Sequence, residues 1–520
     1  MELTFKKISP LINSRNGFRA IITATAAFNL LPLVGLLSYC LSRPGGPFAP
    51  LGSEGLQQLI NTLLLLILVG TGVAVIGTAI GWLTASCNFP GCRWLTLAQL
   101  LPLATPAYLL AAIFTDLGSK YGQRVQGMGW TMLVLVITTT PYVVLLCRES
   151  FQQSGKLQLE AARSLGLAPW ACFLRVSLPM AIPAVASGTA LAGMEVVNEF
   201  GAVELLGVPT LSTGLLQRWQ GEGDPQGAAA LALVALAVVA LLVAAESWQR
   251  RRSRRWDLGG PGDHGERWPL HGWRASLAQA ICALPPLLCA APPLLWFARS
   301  LDQWRSDELA DLLGLSCRSL LLGVAAALLA GLMALILALA KRWKTPAWLQ
   351  RITFLAGLGY AIPGAVLALA LLLVFAPLGL PPLALLLYGY GNRFLAVAKG
   401  GLDASLQRLA PSIEEAASSL GVRWPGVLHR IHLPLLRSPL LLGGLLVFVD
   451  TIKELPLTFA LRPFNFDTLA VRVYQYASDE RLASAMVPAL IIVVLGLSAA
   501  LTLVPQLRQE TTAANDLASS

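Results

Sequence analysis

Residues 160–179 read EAARSLGLAPWACFLRVSLP, and residues 415–434 read EAASSLGVRWPGVLHRIHLP. The two stretches, called copy 1 and copy 2 below, lie 255 residues apart and align without a gap, with Gly166 opposite Gly421. Both are polar segments in a chain that is otherwise very apolar. A repeat of this kind predicts that one membrane unit was duplicated and fused, and that the same kind of partner binds both copies.

The composition excludes a soluble globular fold. The chain has 520 residues, of which 55% are hydrophobic and 13% are charged, and its mean hydropathy is +0.65. A helix needs about 20 apolar residues to cross roughly 30 Å of hydrocarbon. By this criterion the sequence predicts about twelve transmembrane helices. They are expected near residues 20–42, 58–84, 95–116, 128–148, 181–200, 227–246, 275–298, 315–340, 352–375, 379–398, 436–457 and 484–506.

The basic residues predict an orientation. The net charge is +10, and Lys and Arg concentrate in the N-terminal segment, both copies of the repeat and the segment after the sixth span. The positive-inside rule places these parts, together with both termini, in the cytoplasm. The densest basic run, residues 250–255, is interpreted as an anchor beside anionic headgroups and not as a nucleic-acid site.

The chain is predicted to consist of two similar halves. Residues 247–274 are charged and rich in Gly and Pro, which predicts an exposed cytoplasmic linker. It separates a first half, residues 1–246, from a second half, residues 275–506, which is followed by a tail at 507–520. Each half has six predicted spans, so the halves are parallel and related by a pseudo-two-fold axis. The expected fold is therefore an all-α polytopic membrane protein with a pathway between two six-helix halves.

Each copy of the repeat is predicted to form a helix, a turn and a second helix. In copy 2, Ser412 precedes Glu415 by three residues, which predicts a capping box and a helix that starts at about Ile413. Gly421 suits a helix end that needs a positive φ, and Pro425 suits the first turn of the next helix. Copy 1 has the same Gly and Pro pattern but no Ser or Thr cap.

The pattern EAA-x3-G-x9-[IV]-x-LP, present twice in register, resembles the signature loop of permease subunits of ATP-binding-cassette importers. The resemblance covers nearly the whole chain and implies the fused, two-half form of the type I importer fold. In that family the loop fits a groove on a nucleotide-binding subunit. The resemblance thus implies ATPase-coupling residues Glu160, Ala161, Ala162 and Gly166 in copy 1, and Glu415, Ala416, Ala417 and Gly421 in copy 2.

The energy source is expected to be a separate protein. The sequence has no G-x-x-x-x-G-K-[ST] motif, so it lacks the loop that cradles ATP phosphates. The chain is therefore expected to be a transport subunit and not an enzyme, with no covalently bound cofactor. ATP and Mg²⁺ are expected on a homodimeric ATPase at the cytoplasmic side. The resemblance further implies a periplasmic binding protein, the bacterial inner membrane and no nucleic-acid partner.

Acidic residues recur at matched positions in spans five and eleven. Glu195 and Glu199 are four residues apart, as are Asp450 and Glu454, which on a helix places each pair on one face. Charged groups inside a span usually face a pathway or a partner, and carboxylate oxygens suit hard cations. These four residues are candidates for a translocation pathway or gate with transient Fe³⁺ contact. The alternative is that Glu199 and Glu454 lie near the outer ends of their helices and form ion pairs, for instance with Lys453 or with the external binding protein.

Two segments resemble the ferric-iron branch of these permeases. They are MEVVNEFGAVELLGVPTLSTG at 194–214 and FVDTIKELPLTFALRPFNFDTLAVRVYQYASDERL at 448–482. The resemblance implies import of ferric iron delivered by a periplasmic iron-binding protein. Thiamine or another small solute is the alternative substrate for the same architecture. An ion-coupled secondary transporter is the alternative from another class, but it leaves the two matched loops unexplained.

The predicted external segments contain a matched pair of acidic residues. Asp224 and Asp479 are 255 residues apart, like the two copies of the repeat. They are candidates for docking the two lobes of the binding protein, and the alternative is an ordinary solvated loop.

Overall fold

The computed structural model describes most of the 520-residue chain as helix. The described residues are 15–42, 51–153, 162, 164–253, 267–300, 309–340, 342, 345–357, 359, 362–422, 424–481 and 484–498. By their packing the residues divide into two compact units. Unit A contains residues 1–49 and 310–469, and unit B contains residues 50–309 and 470–520.

Unit B contains copy 1 of the repeat and is built around three long helices. Helices α2, α6 and α8 pack on one another, and α11 packs on α8. Its elements are α2 Gly52–Ser86, β1 Cys87–Asn88, α3 Cys92–Ala98, α4 Leu101–Ala104, α5 Ala107–Lys120, α6 Met128–Gln153, α7 Pro169–Cys172, α8 Leu178–Asn198, α9 Gly201–Leu205, α10 Leu211–Leu216, α11 Pro225–Ser253, β2 Trp268–Pro269, α12 Trp273–Ser300, α21 Leu469–Ser478 and α22 Ser484–Ser498.

Unit A contains copy 2 and repeats much of this arrangement. Helix α19 packs along α16, as α8 packs along α6 in unit B. Its elements are α1 Arg15–Leu41, α13 Leu309–Ala338, α14 Ala347–Ala356, α15 Gly364–Phe375, α16 Pro382–Arg408, α17 Pro411–Ser419, α18 Trp424–Val427, α19 Leu433–Lys453 and α20 Pro456–Leu461.

Helices occupy all twelve predicted span positions, although not all of them are straight spans. Among the described residues, eight helices are long and apolar enough to cross a membrane. The third predicted span is instead a pair of helical segments, Cys92–Ala104 and Ala107–Lys120, bent by 89°. The ninth predicted span is likewise divided between α14 and α15. The all-helical, polytopic fold class is confirmed, and the count of twelve crossings stays a prediction.

The packing groups the helices differently from the predicted sequence halves. Helix α12, which opens the second sequence half, packs in unit B against α2, α3, α5 and α6. The Gln99 side chain donates to the Cys282 carbonyl at 2.6 Å. Strand β2 just before α12 pairs in parallel with β1, with Trp268 opposite Cys87. Sequence reasoning did not predict these two strands.

Helix α1 has the corresponding place in unit A. It packs against α14 and α15, and the Asn392 amide donates to the Asn29 carbonyl at 2.6 Å. The Phe28 and Tyr388 rings stack with centroids 3.9 Å apart. Helix α1, the first helix of the first sequence half, therefore belongs to unit A with most of the second half. Helix α12, the first helix of the second half, belongs to unit B with most of the first half. The boundaries at residues 246, 274 and 506 describe the duplication and stay predictions.

Matched glycines allow the central helices to cross closely. A Cβ atom at Gly188 of α8 would lie 2.7 Å from the Val143 Cα of α6. At the equivalent crossing in unit A, a Cβ at Gly443 of α19 would lie 3.1 Å from the Ala398 Cα of α16. Small residues at helix contacts let backbones approach within a membrane, where dispersion and not hydrophobic burial drives packing. These contacts fix where α8 and α19 cross their neighbours.

We expect Gly188→Ala to lower the free energy of unfolding by about 1–3 kcal/mol, because the new methyl group forces two backbones apart. Gly443→Ala should lower the free energy of unfolding by less, since the nearest backbone atom lies 0.4 Å farther from the added Cβ than at Gly188. The matched control is Gly444→Ala, where no atom lies within 4 Å of the added Cβ. Thermal unfolding of the purified protein in detergent measures the three effects. Equal midpoints for the Gly188 and Gly444 variants would contradict the close-crossing interpretation.

Candidate functional site

The described residues of the two copies have closely similar backbone conformations. Gly166 has a φ of +77° and Gly421 a φ of +76°, as the sequence predicts for a helix end that only glycine adopts without strain. A short helix follows, α7 or α18, and then one π-helical turn, at 173–177 in copy 1 and 428–432 in copy 2. The long helices α8 and α19 start directly after these turns. The 255-residue offset therefore holds for conformation as well as sequence.

The predicted start of the copy 2 helix is wrong. Helix α17 begins at Pro411 with Ala410 as its N-cap, and no side chain caps it. The capping box from Ser412 to Glu415 does not form, because Pro411 occupies the first helical position and Ser412 falls inside the first turn. The predicted role of Pro425 is confirmed, since it lies in the first turn of α18.

One face of α17 is open to solvent. Of the predicted coupling residues, Glu415 and Ala416 are exposed, as is Gly421 after the helix, whereas Ala417 is buried. The same open side carries Leu420, which is 83% exposed. Leu420 lies directly before the left-handed turn at Gly421, next to the exposed residues Glu415 and Ala416 that were predicted to bind the ATPase.

Copy 1 exposes an equivalent leucine. Leu165, which precedes Gly166 as Leu420 precedes Gly421, is 82% exposed. Ala162 is buried and Gly166 is exposed, while the predicted residues Glu160 and Ala161 lie outside the described residues. Sequence reasoning missed the two leucines, although their identity at matched positions was visible in the repeat.

The inward side of α17 carries a buried cluster of charged and polar groups. Glu414 Oε1 lies 2.9 Å from His432 Nε2, at the end of the π-helical turn. The same oxygen lies 3.5 Å from an Arg342 guanidinium nitrogen. Arg342 in turn donates to the carbonyls of Leu406 and Leu409 at the end of α16. None of these three side chains was singled out as functional from the sequence.

In copy 1 aromatic packing takes the place of this polar cluster. Phe173, the first residue of the π-helical turn, packs with ring centroids 4.9 Å from Trp82 of α2 and 5.4 Å from Trp170 of α7. The ring centroid of Phe151 in α6 lies 6.3 Å from the ring centroid of Phe173. The turn is thus attached to two long helices of unit B by apolar contacts.

The acidic residues Glu199 and Glu454 cap short helices. Helices α8 and α19 end one residue before them, and both glutamates have extended backbones. Glu199 Oε1 accepts from the Ala202 N–H at 2.9 Å, and Glu454 Oε1 accepts from the equivalent Leu457 N–H at 3.0 Å. The prediction that each glutamate shares a helical face with the acidic residue four positions earlier stays a prediction, and the Glu199 N–H still donates to the Glu195 carbonyl at 2.9 Å.

Glu454 is part of a larger buried network than Glu199. Its second oxygen, Oε2, accepts from the Thr458 N–H at 3.0 Å and from the Thr458 hydroxyl at 2.8 Å. Tyr390 bonds to the same hydroxyl at 2.6 Å. Arg393 Nε lies 4.0 Å from Glu454 Oε1, and both side chains are almost fully buried. In unit B the residues equivalent to Tyr390, Thr458 and Arg393 are Leu135, Val203 and Thr138, so this network has no counterpart.

Glu195 and Asp450 occupy the last turns of α8 and α19 and are partly buried. Asp450 Oδ1 pairs with Lys453 Nζ at 2.9 Å, whereas the sequence offered Lys453 as an ion-pair partner of Glu199 or Glu454. In the described part of the chain, no group of three or more His, Cys, Asp or Glu side chains is arranged to hold a metal ion. Direct contact of these acids with Fe³⁺ stays a prediction.

Asp224 and Asp479 differ in their surroundings. Asp224 is the N-cap of α11, because its Oδ1 accepts from the Gln226 and Gly227 N–H groups at 3.1 and 3.0 Å. Asp479 is exposed at the end of α21. The predicted docking role is untested for both, but a local structural role for Asp224 is now visible.

Comparison with known proteins identifies the class. Residues 77–258 match the family described as binding-protein-dependent transport system inner membrane component. The chain is 25% identical over 452 residues to the Fe(3+)-transport system permease protein FbpB 2 of Haemophilus influenzae, covering 84% of this chain and 87% of that relative. Two relatives from Escherichia coli K12 match about a third of the chain. They are the molybdenum transport system permease protein ModB, 27% identical over 196 residues, and the sulfate transport system permease protein CysT, 28% identical over 198 residues. These matches cover 86% and 72% of the two relatives and 34% and 35% of this chain.

The family match and the helical architecture together identify the chain as a permease of the ATP-binding-cassette importer class, a multi-pass inner-membrane protein. Within that class it resembles the ferric-iron branch, over both sequence halves. Permeases of this class are transport subunits and not enzymes, and they work with an ATPase and a periplasmic binding protein. The recognition made from the repeated loop is confirmed.

We expect the two capping glutamates to respond differently to neutralisation. Glu454→Gln should lower the free energy of unfolding by about 3 kcal/mol, because it leaves the buried Arg393 without its carboxylate. Glu199→Gln should cost about 1 kcal/mol or less, since its amide oxygen still accepts from Ala202. Thermal unfolding in detergent gives both values. Equal losses would contradict the different surroundings described for the two residues.

Proposed function

We propose that this chain is the transmembrane permease of an ATP-driven importer of ferric iron. An external binding protein delivers the iron, and a homodimeric ATPase at the cytoplasmic side binds ATP and Mg²⁺ and drives transport. The observation that carries this proposal is the pair of loops with matched backbones, each with an exposed leucine beside a left-handed glycine. Two equivalent binding surfaces suit the two copies of a homodimer.

The choice of iron is supported by the relative that matches both sequence halves. The Fe(3+)-transport permease matches 84% of this chain, whereas the molybdenum and sulfate permeases are shorter proteins that match 34% and 35% of it. The extent of the match therefore favours the fused two-half form more than it favours iron. The acidic residues in the last turns of α8 and α19 fit a hard cation better than an oxyanion such as sulfate or molybdate. Thiamine, sulfate and molybdate remain the alternatives for the experiment below.

The proposed mechanism is alternating access. ATP binding closes the ATPase dimer and moves the two loops, and α8 and α19 carry this movement across the membrane. Each helix has 21 residues, about 30 Å at 1.5 Å per residue, which matches the hydrocarbon thickness. In this scheme the termini lie in the cytoplasm, as the distribution of basic residues favours.

The proposal assigns distinct roles to the acidic residues at the far ends of these helices. Glu199 and Glu454 form a gate hinge, because each connects a long helix to the short helix that follows. Glu195 and Asp450 are the candidates for transient contact with Fe³⁺. This division is supported by the hydrogen bonds that occupy Glu199 and Glu454.

The class and the substrate are tested by the ATPase activity of the complex in proteoliposomes. The permease and its ATPase are reconstituted with binding proteins loaded with Fe³⁺, thiamine, sulfate or molybdate. We expect stimulation by the iron-loaded protein alone. Stimulation by another loaded protein would keep the importer class and overturn the substrate. If no ATPase co-purifies with the permease, the proposed coupling itself fails and a gradient-driven transporter becomes the better hypothesis.

Docking of the binding protein is tested at Asp224 and Asp479. Asp224→Asn removes the charge but keeps a helix-capping side chain, and Asp479→Lys reverses an exposed charge. We expect the double variant to raise the concentration of loaded binding protein needed for half-maximal ATPase stimulation by roughly tenfold, since rim charges at interfaces mainly affect association. Basal ATPase activity and thermal stability should stay unchanged. An unaltered stimulation curve would remove both residues from the docking surface.

A further inference from the structure

Two adjacent glutamates on α17 point in opposite directions. Glu415 is exposed on the face proposed to bind the ATPase. The Glu414 side chain is only 15% exposed and faces the membrane helices of unit A. A residue on the inward side of a partner-binding helix cannot contact the partner directly. Its contacts determine how firmly that helix is attached to the rest of the unit.

The Glu414 cluster, defined as Glu414, Arg342 and His432, connects α17 to two long helices. His432 immediately precedes α19 and lies 2.9 Å from Glu414. Arg342 lies 3.5 Å from Glu414 and also donates to the Leu406 and Leu409 carbonyls at the end of α16. One carboxylate therefore holds together the partner-binding helix, the start of α19 and the end of α16.

A hydrogen bond between a histidine ring and an ionised carboxylate has only one possible direction. An ionised carboxylate only accepts hydrogen bonds, so His432 Nε2 is the donor to Glu414. The His432 side chain is 1% exposed, and its ring stacks on Trp424 of α18 with centroids 6.0 Å apart. The ring cannot turn away without breaking this packing. Contacts between charged groups in such a site are stronger than at an exposed surface.

Copy 1 lacks the acid and the histidine of this cluster. Leu159 and Ser177 stand where copy 2 has Glu414 and His432. Conversely, two of the aromatic residues that hold the first π-helical turn are replaced by leucine in copy 2. Phe151 and Phe173 correspond to Leu406 and Leu428. The two loops share a backbone but are attached to their units by different chemistry.

We propose that the Glu414 cluster is a positioning device that transmits ATPase movement from α17 to α19, and that aromatic packing around Phe173 performs the same task in copy 1. This inference rests on the proposed function of α17 as an ATPase-binding helix. The cluster does not bind the partner or the substrate. It makes α17 and the start of α19 move as one body, so that movement at the loop reaches the membrane.

The test separates binding of the ATPase from coupling to transport. Glu414→Ala should leave the amount of co-purified ATPase unchanged but lower the substrate transported per ATP hydrolysed by roughly threefold to tenfold, the range expected for directly contacting residues. Glu415→Ala should instead lower the amount of co-purified ATPase. His432→Gln, whose amide can still donate to Glu414, should retain more transport per ATP than His432→Ala.

A double variant tests whether the residues act together. If they do, Glu414→Ala combined with His432→Ala should be no worse than Glu414→Ala alone. Glu414→Gln keeps a hydrogen-bond acceptor but loses the charge that faces Arg342, and it replaces Glu414→Ala if the alanine variant does not fold. We expect its ratio of substrate transported to ATP hydrolysed to lie between those of the wild type and Glu414→Ala. A ratio of transport to hydrolysis that stays at the wild-type value in the Glu414 variants overturns the inference. Failure of the wild-type permease to retain any ATPase would instead overturn the proposed function.

Discussion

The close crossings at Gly188 and Gly443 are the contacts on which the rest of the architecture depends. Each lies near the middle of a 21-residue helix and presses that helix against the backbone of its neighbour. One end of the helix continues into the loop proposed to bind the ATPase, and the other ends at a glutamate that caps a short helix. A helix held firmly at its centre and attached at both ends can pass movement from loop to gate, whereas a loosely packed one would absorb it.

The features predicted from sequence were those that local chemistry decides. Glycine at 166 and 421 was expected to adopt positive φ because other residues are strained there, and both do. Long apolar runs predicted the positions of helices, because a segment in lipid must satisfy its own backbone hydrogen bonds and a helix does so. Periodicity alone did not reveal that α19 ends at Lys453, one residue before Glu454. Helix boundaries depend on which side chains compete for backbone groups, and here Glu454 caps the next helix.

The contacts that sequence reasoning missed are long-range. Arg342 and Glu414 are 72 residues apart, and only the folding of unit A brings them together. The same holds for Arg393 and Glu454, which occupy different helices. Hydropathy likewise shows where α1 and α12 lie in the chain but not which unit each one packs with, because lipid-facing and protein-facing apolar surfaces have similar composition in a membrane.

The pattern of what differs between the copies follows from the proposed partner. A homodimeric ATPase presents the same surface twice, so the outward residues of both loops must stay alike, and Leu165 and Leu420 are both exposed leucines. The inward residues contact only this chain, and each set can change as long as its neighbours change with it. In copy 1 the inner contacts are those of Phe173 with its aromatic neighbours, and in copy 2 they are those of Glu414 with His432. A shared exposed leucine over different inner contacts is the pattern expected when a fused permease binds a symmetric partner.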